Sequence, residues 1–154
     1  MAGALVGAGG AVAAAAVTGR GQNKQWRRQT RRDAYVAFLT VAMATHQLLD
    51  EIGRGIIRAS YADSERSERL TLAREQIGKL ESARIVVSLE GPASVTQAAY
   101  EVWRSCSEWH KKLQGADPDA LGVELTRSCI WCCQGDAEQC LEDAHEACRL
   151  AMVR

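Results

Sequence analysis

Residues Tyr35 to Ala59 read YVAFLTVAMATHQLLDEIGRGIIRA, and this stretch decides the fold. Its apolar positions are Tyr35, Phe38, Ala42, Leu49, Ile52, Ile56 and Ala59, with Thr45 filling the one gap, in alternating steps of three and four. That register is a heptad seam, the pattern of a helix that packs along one face against other helices, as in a coiled coil. It predicts a single long helix over about residues 22–61, basic in its first turns and packed over the remainder. Gly53 and Gly55 weaken this helix or mark a kink in it.

Working toward the C-terminus, Asp63 or Ser64 serves as the N-cap of a second helix with a stripe of Leu70, Ala73, Ile77, Leu80 and Val87. Gly91-Pro92 ends it, because proline cannot continue a helix and glycine suits the position just past one. A third helix runs from about Ala93 to Leu113, turning Val95, Ala98, Val102, Cys106, Trp109 and Leu113 inward, with Gly115 beyond its end. Asp117-Pro118 opens a fourth, with aspartate as N-cap and proline at the first helical position. It extends to Val153, with Gly135 as a point of interruption. Short connections make successive helices antiparallel, so the expected fold is all-α, an up-down bundle of about four helices. A chain of 154 residues suits one domain, and with 5% aromatics and two prolines the composition favours helix over sheet.

Working toward the N-terminus, the formal net charge of zero conceals a local excess. Between Arg20 and Asp33 stand Arg20, Lys24, Arg27, Arg28, Arg31 and Arg32 against one acid. Ahead of them, Met1 to Thr18 carries no charge and at helical rise measures about 27 Å, close to the hydrocarbon thickness of a thin bilayer. Only Leu5, Val6, Val12 and Val17 are strongly apolar there, so the span is marginal. No basic residue precedes the run, which argues against a cleaved signal peptide. The chain then divides into an apolar segment, 1–19, as candidate membrane anchor, a basic juxtamembrane helix start, 20–34, and the bundle, 35–154. The positive-inside rule places the bundle in the cytoplasm of a single-pass protein. If 1–19 is instead a low-complexity tail, the whole protein is cytoplasmic.

Two runs carry a resemblance: Trp26-Arg27-Arg28-Gln29-Thr30-Arg31-Arg32-Asp33-Ala34-Tyr35-Val36-Ala37-Phe38-Leu39 and Val87-Ser88-Leu89-Glu90-Gly91-Pro92-Ala93-Ser94-Val95. They resemble segments of small uncharacterised actinobacterial proteins that join an Ala/Gly-rich apolar N-terminus to a basic helix and further helices. The resemblance covers roughly the first two-thirds of the chain and implies a membrane-associated helical protein. It brings no activity, cofactor or catalytic residue, and the cysteine-rich end lies outside it.

That end holds Cys129, Cys132, Cys133, Cys140 and Cys148, with His145 among them and Cys106 on the preceding helix. Cys129, Cys132, His145 and Cys148 have the ligand types and pair spacings of a zinc site, and zinc is the one cofactor the sequence suggests. On a continuous helix, however, Cys129, Cys133, Ala137, Cys140, Ala144 and Cys148 form a core stripe in which cysteine acts as a small hydrophobe. Disulfide or redox switching is the third reading.

Enzymatic signatures are missing. The Glu142-x-x-His145 element of di-iron bundles has no second copy, Gly7 to Gly10 lacks the context of a phosphate loop, and there is no G-x-S-x-G elbow. His46 and Asp50, one turn apart, suit a surface contact better than a proton-sharing pair. Three functions follow from the residues. The first is a membrane-associated interaction or scaffold module built on the anchor, the basic helix start and the heptad seam, with Arg20, Lys24, Trp26, Arg27, Arg28, Arg31 and Arg32 on an anionic surface and an unknown protein partner or a homo-oligomer. The second is a cysteine-based zinc or redox sensor, and the third is nucleic-acid binding by the arginine run with Trp26 stacking.

Overall fold

The computed structural model describes the backbone over residues 6–58, 60–116 and 123–153, and side chains over 25–58, 60–116 and 127–153. Four helices follow one another: α1 Val6–Ile57, α2 Asp63–Glu90, α3 Ala93–Gly115 and α4 Val123–Val153. There is no strand among the described residues. The expected four-helix bundle is therefore the observed one, and the helix contacts fit an up-down order.

The α1 seam is buried as its register requires. Phe38, Ala42, Thr45, Leu49 and Ile52 have no exposed surface, and Tyr35 and Ile56 have almost none, while Ala59 lies outside the described residues. Thr45 can sit in this line because its hydroxyl donates to the Val41 carbonyl at 2.8 Å, so no polar group is stranded. Facing the seam are Ala73, Leu80 and Val87 of α2, Val102, Trp109 and Leu113 of α3, and Ala137, Ala144 and Cys148 of α4. α1 packs against all three other helices, whereas α2 and α4 make no close backbone approach among the described residues. The pair α1 and α3 is thus the short diagonal of the bundle. Each fully buried Leu, Ile or Trp on it contributes about 1.5–3 kcal/mol of apolar transfer.

Neither central glycine breaks α1. A Cβ on Gly53 would stand 3.0 Å from Ile130 Cγ2 and 3.9 Å from Trp109, so its small size lets α1 approach α3 and α4 closely. A Cβ on Gly55 would overlap the Tyr61 ring, which folds back so that its hydroxyl donates to the Glu51 carbonyl at 3.1 Å. Gly135 likewise leaves α4 uninterrupted. The helix ends differ in detail from expectation. Asp63 is the first helical residue of α2, not its cap, and the cap position falls to Ala62, which offers no side-chain bond. The acids Asp63 and Glu65 in the first turn instead complement the positive end of the helix dipole. Gly115 is the last residue of α3, and the expected start at Asp117-Pro118 lies outside the described residues.

Two long-range polar contacts join α2 to α3. The Arg66 guanidinium donates to the Leu113 carbonyl at 3.1 Å and to the Ala116 carbonyl, closing the C-terminus of α3 with positive charge where helix carbonyls lack partners. His110, buried, places Nε2 3.0 Å from the Leu70 carbonyl. A carbonyl only accepts, so Nε2 carries the proton. Most other ion pairs lie within single helices on the surface and contribute little. Arg66→Ala is expected to lower stability by about 1–3 kcal/mol, the range for losing hydrogen bonds from a charged donor. In urea the unfolding midpoint should fall with the slope unchanged; an unshifted midpoint would show that water replaces the guanidinium at no cost.

Candidate functional site

α1 outlasts its neighbours. It has 52 residues against 28, 23 and 31 in α2, α3 and α4, and among the described residues its first buried side chain is Ala34, so the surplus lies on the N-terminal side. Counted backward from Tyr35 in steps of four and three, the seam runs through Arg31, Arg28 and Lys24. The helix face that is apolar inside the bundle therefore becomes cationic where the bundle stops. Arg20 and Lys24 share this segment, but their side chains lie outside the described residues.

The last turn of α4 meets the cationic face. Arg27, Arg28, Arg31, Arg32 and Tyr35 of α1 and Ala151 and Met152 of α4 line an open cleft of about 550 Å³. A second cleft adjoins it across Arg31 and is bounded by the turn at Gly91-Pro92 and by Asp143, Glu146 and Leu150. No ion pair is formed by Arg27, Arg28, Arg31 or Arg32 among the described residues, whereas Arg54, Arg69, Arg84, Arg104 and Arg149 all pair with a carboxylate. Of the nearby acids, Asp33 accepts from Gln29 at 2.8 Å and Glu146 pairs with Arg149 at 2.6 Å, while Glu90 is close enough for its charge to act on Tyr35. Four arginines outnumber these acids at the cleft, so the local field is positive on balance.

Tyr35 closes the inner end of the cleft. Its ring is buried and its hydroxyl has no hydrogen-bond partner among the described residues. Burial pushes the phenol pKa up and the adjacent Arg31 charge partly opposes the shift. The hydroxyl lies so close to the α2–α3 turn that a Cβ on Gly91 would stand 3.1 Å from it and 2.9 Å from the Val87 carbonyl, which excludes larger residues at Gly91. Around this end, three helices present apolar side chains to solvent. Trp26 is 68% exposed, Leu89 79% and Val153 80%, with Leu150 and Met152 beside them. The sequence pattern identifies the arginines and Trp26 but not Met152 and Leu150, which the fold brings to the two clefts beside them.

The cysteine positions do not converge. α4 is continuous, so Cys132 and His145 are separated by about 20 Å of helical rise and the set Cys129, Cys132, His145 and Cys148 cannot share one zinc ion. No group of three or more His, Cys, Asp or Glu with metal-binding geometry occurs among the described residues. Cys106 and Cys148 are buried, Cys129, Cys133 and Cys140 half-buried and Cys132 exposed. Their placement matches the core stripe, to which the structure adds the buried Ile130. His46 meets the edge of Trp109 at 5.4 Å between centroids, and Asp50 pairs with Arg54, so His46 and Asp50 do not act together.

The candidate anchor, 1–19, lies outside the residues with described side chains, although the α1 backbone is helical from Val6. Among the described residues no helix is long and apolar enough to cross a membrane. No family model, curated protein or solved structure matches the chain.

Burial raises the thiol pKa of Cys106 to about 12 and that of Cys148 to about 11. These thiols favour the folded state fully below the ordinary thiol value of 9.0, and their contribution fades as pH climbs from there through 11 to 12. Cys148→Ser and Cys106→Ser should each cost about 1–3 kcal/mol by burying a hydroxyl in place of the thiol, with Cys132→Ser neutral. Both variants should also flatten the alkaline loss of stability. Greatest sensitivity at Cys132 in chemical denaturation would overturn this ranking.

Proposed function

We propose that the chain is a non-catalytic helical interaction module that docks the α1/α4 end of its bundle on an anionic membrane surface. The observation that carries this reading is the coincidence, at one end, of apolar side chains exposed on three helices with four guanidinia that form no ion pair among the described residues. Each basic residue close to an anionic leaflet contributes about 1 kcal/mol, a term that salt screens. Four such residues give a reversible attachment, and a second signal makes it stable. Trp26 suits the interfacial level, where an aromatic ring keeps its apolar body in the acyl boundary and its N–H in water. The apolar run 1–19 is the natural second signal, because α1 is helical from Val6 and leads from it into the arginines. In this arrangement the bundle faces the cytoplasm and the α1 to α4 surfaces remain free for a protein partner.

The test is sedimentation of the full chain with vesicles of phosphatidylcholine alone or phosphatidylcholine with phosphatidylglycerol. Binding should require the anionic lipid and weaken with salt. Replacing Arg27, Arg28, Arg31 and Arg32 together with Gln should reduce it by about a thousandfold, the equivalent of four contacts near 1 kcal/mol each. Equal recovery with neutral and anionic vesicles, or indifference to the four substitutions, would refute the reading. Salt-sensitive binding to duplex DNA with none to vesicles would assign the same face to nucleic acid.

A further inference from the structure

We infer that the cleft between α1 and α4 is a selective site for a phosphate monoester, carried either by a lipid headgroup or by a small soluble ester; the lipid form rests on the membrane-facing reading above. A general basic patch would spread its charge over a convex surface. Here Arg27, Arg28, Arg31 and Arg32 border one concavity, closed inside by Tyr35 and on the far side by Met152. Its volume of about 550 Å³ falls within the range of small-molecule pockets and exceeds what a bare phosphate fills. The space and the apolar wall of Ala151 and Met152 suit a short carbon body attached to the phosphate.

The charge balance favours a dianion. The C-terminal end of α4 points about half a negative charge toward this region, which disfavours anions. Four guanidinia without carboxylate partners more than offset it, and no acidic residue lines the cleft. A phosphate monoester carries about −1.5 to −2 charges near neutral pH and three terminal oxygens, so it can engage more than one planar guanidinium fork at once. A diester has one charge and two such oxygens and uses fewer of them. Arg31 is the residue on which selectivity turns. It lies one helical turn before Tyr35 on the seam and is shared by both clefts, where a bidentate fork cannot be replaced by the point charge of lysine.

The full chain is tested on phosphatidylcholine vesicles containing phosphatidic acid or phosphatidylglycerol, matched in surface charge, with glycerol 3-phosphate as the soluble probe. Phosphatidic acid should bind about tenfold more tightly than phosphatidylglycerol, the effect of one additional charge-assisted hydrogen bond. The preference should grow as pH rises through about 6, where the monoester loses its second proton while arginine stays charged. Arg31→Lys, folded as judged by an unchanged thermal transition, should erase the preference, so that phosphatidic acid binds no more tightly than phosphatidylglycerol. Equal affinity for the two lipids, with no binding of glycerol 3-phosphate, overturns the site and leaves the membrane reading standing. Arg31-dependent binding of glycerol 3-phosphate without attachment to either vesicle has the opposite meaning: the site holds as one for soluble esters and the membrane reading fails.

Discussion

Burial of one face of α1 organises the whole bundle. Seven seam positions from Tyr35 to Ile56 are withdrawn from water, and a single helix cannot accomplish that by itself. The other three helices must all lie against that face, which explains why α1 reaches each of them while α2 and α4 remain apart. The small residues Ala73, Ala99, Ala137 and Ala144 let helix axes come close, and Trp109 fills the volume between α1 and α3. Gly53 belongs to the same economy of space, since any side chain there would press on Ile130.

How legible this was in the sequence depended on whether the governing signal was periodic. The α1 register gave the buried residues correctly because an apolar stripe in three-four spacing has one physical solution for a long helix. The α4 stripe was legible for the same reason even though four of its members are cysteines, because burial treats a thiol as a small apolar group. Contacts that join distant residues were not legible. Arg66 closing α3, His110 bonding to Leu70 and Tyr61 folding over Gly55 depend on loop paths that no local pattern encodes. Buried His110 and Ser105 lie outside any apolar stripe, yet each finds a backbone carbonyl.

The candidate site divides along the same line. Its charges were conspicuous, since six basic residues in a short run stand out in a chain with zero net charge. Their direction was not. An apolar-periodicity reading stops counting where charged residues begin, so the continuation of the seam through Arg31, Arg28 and Lys24 went unread. The apolar contribution of α4 was invisible for another reason: Met152 and Leu150 are far from the arginines in sequence and reach the clefts beside them only when α4 ends against α1. The spacing of the cysteine pairs misled in the opposite sense. It imitated a zinc site that a turn near Gly135 would have closed, and the unbroken helix holds the two pairs about 20 Å apart.

The change of character along one seam also bears on pairing between copies. A heptad face that stayed apolar beyond the bundle would invite a second chain to extend the coil. In a parallel pairing through residues 24–31, Arg28 and Arg31 would instead meet their own counterparts across the interface, and like charges held at that separation repel. The sequence thus uses one register for two purposes: apolar side chains direct three helices onto α1, and the arginines that follow keep the next turns from being covered by the same chemistry. The boundary falls at Tyr35, whose ring is buried with the core on one side while Arg31 borders the open cleft on the other.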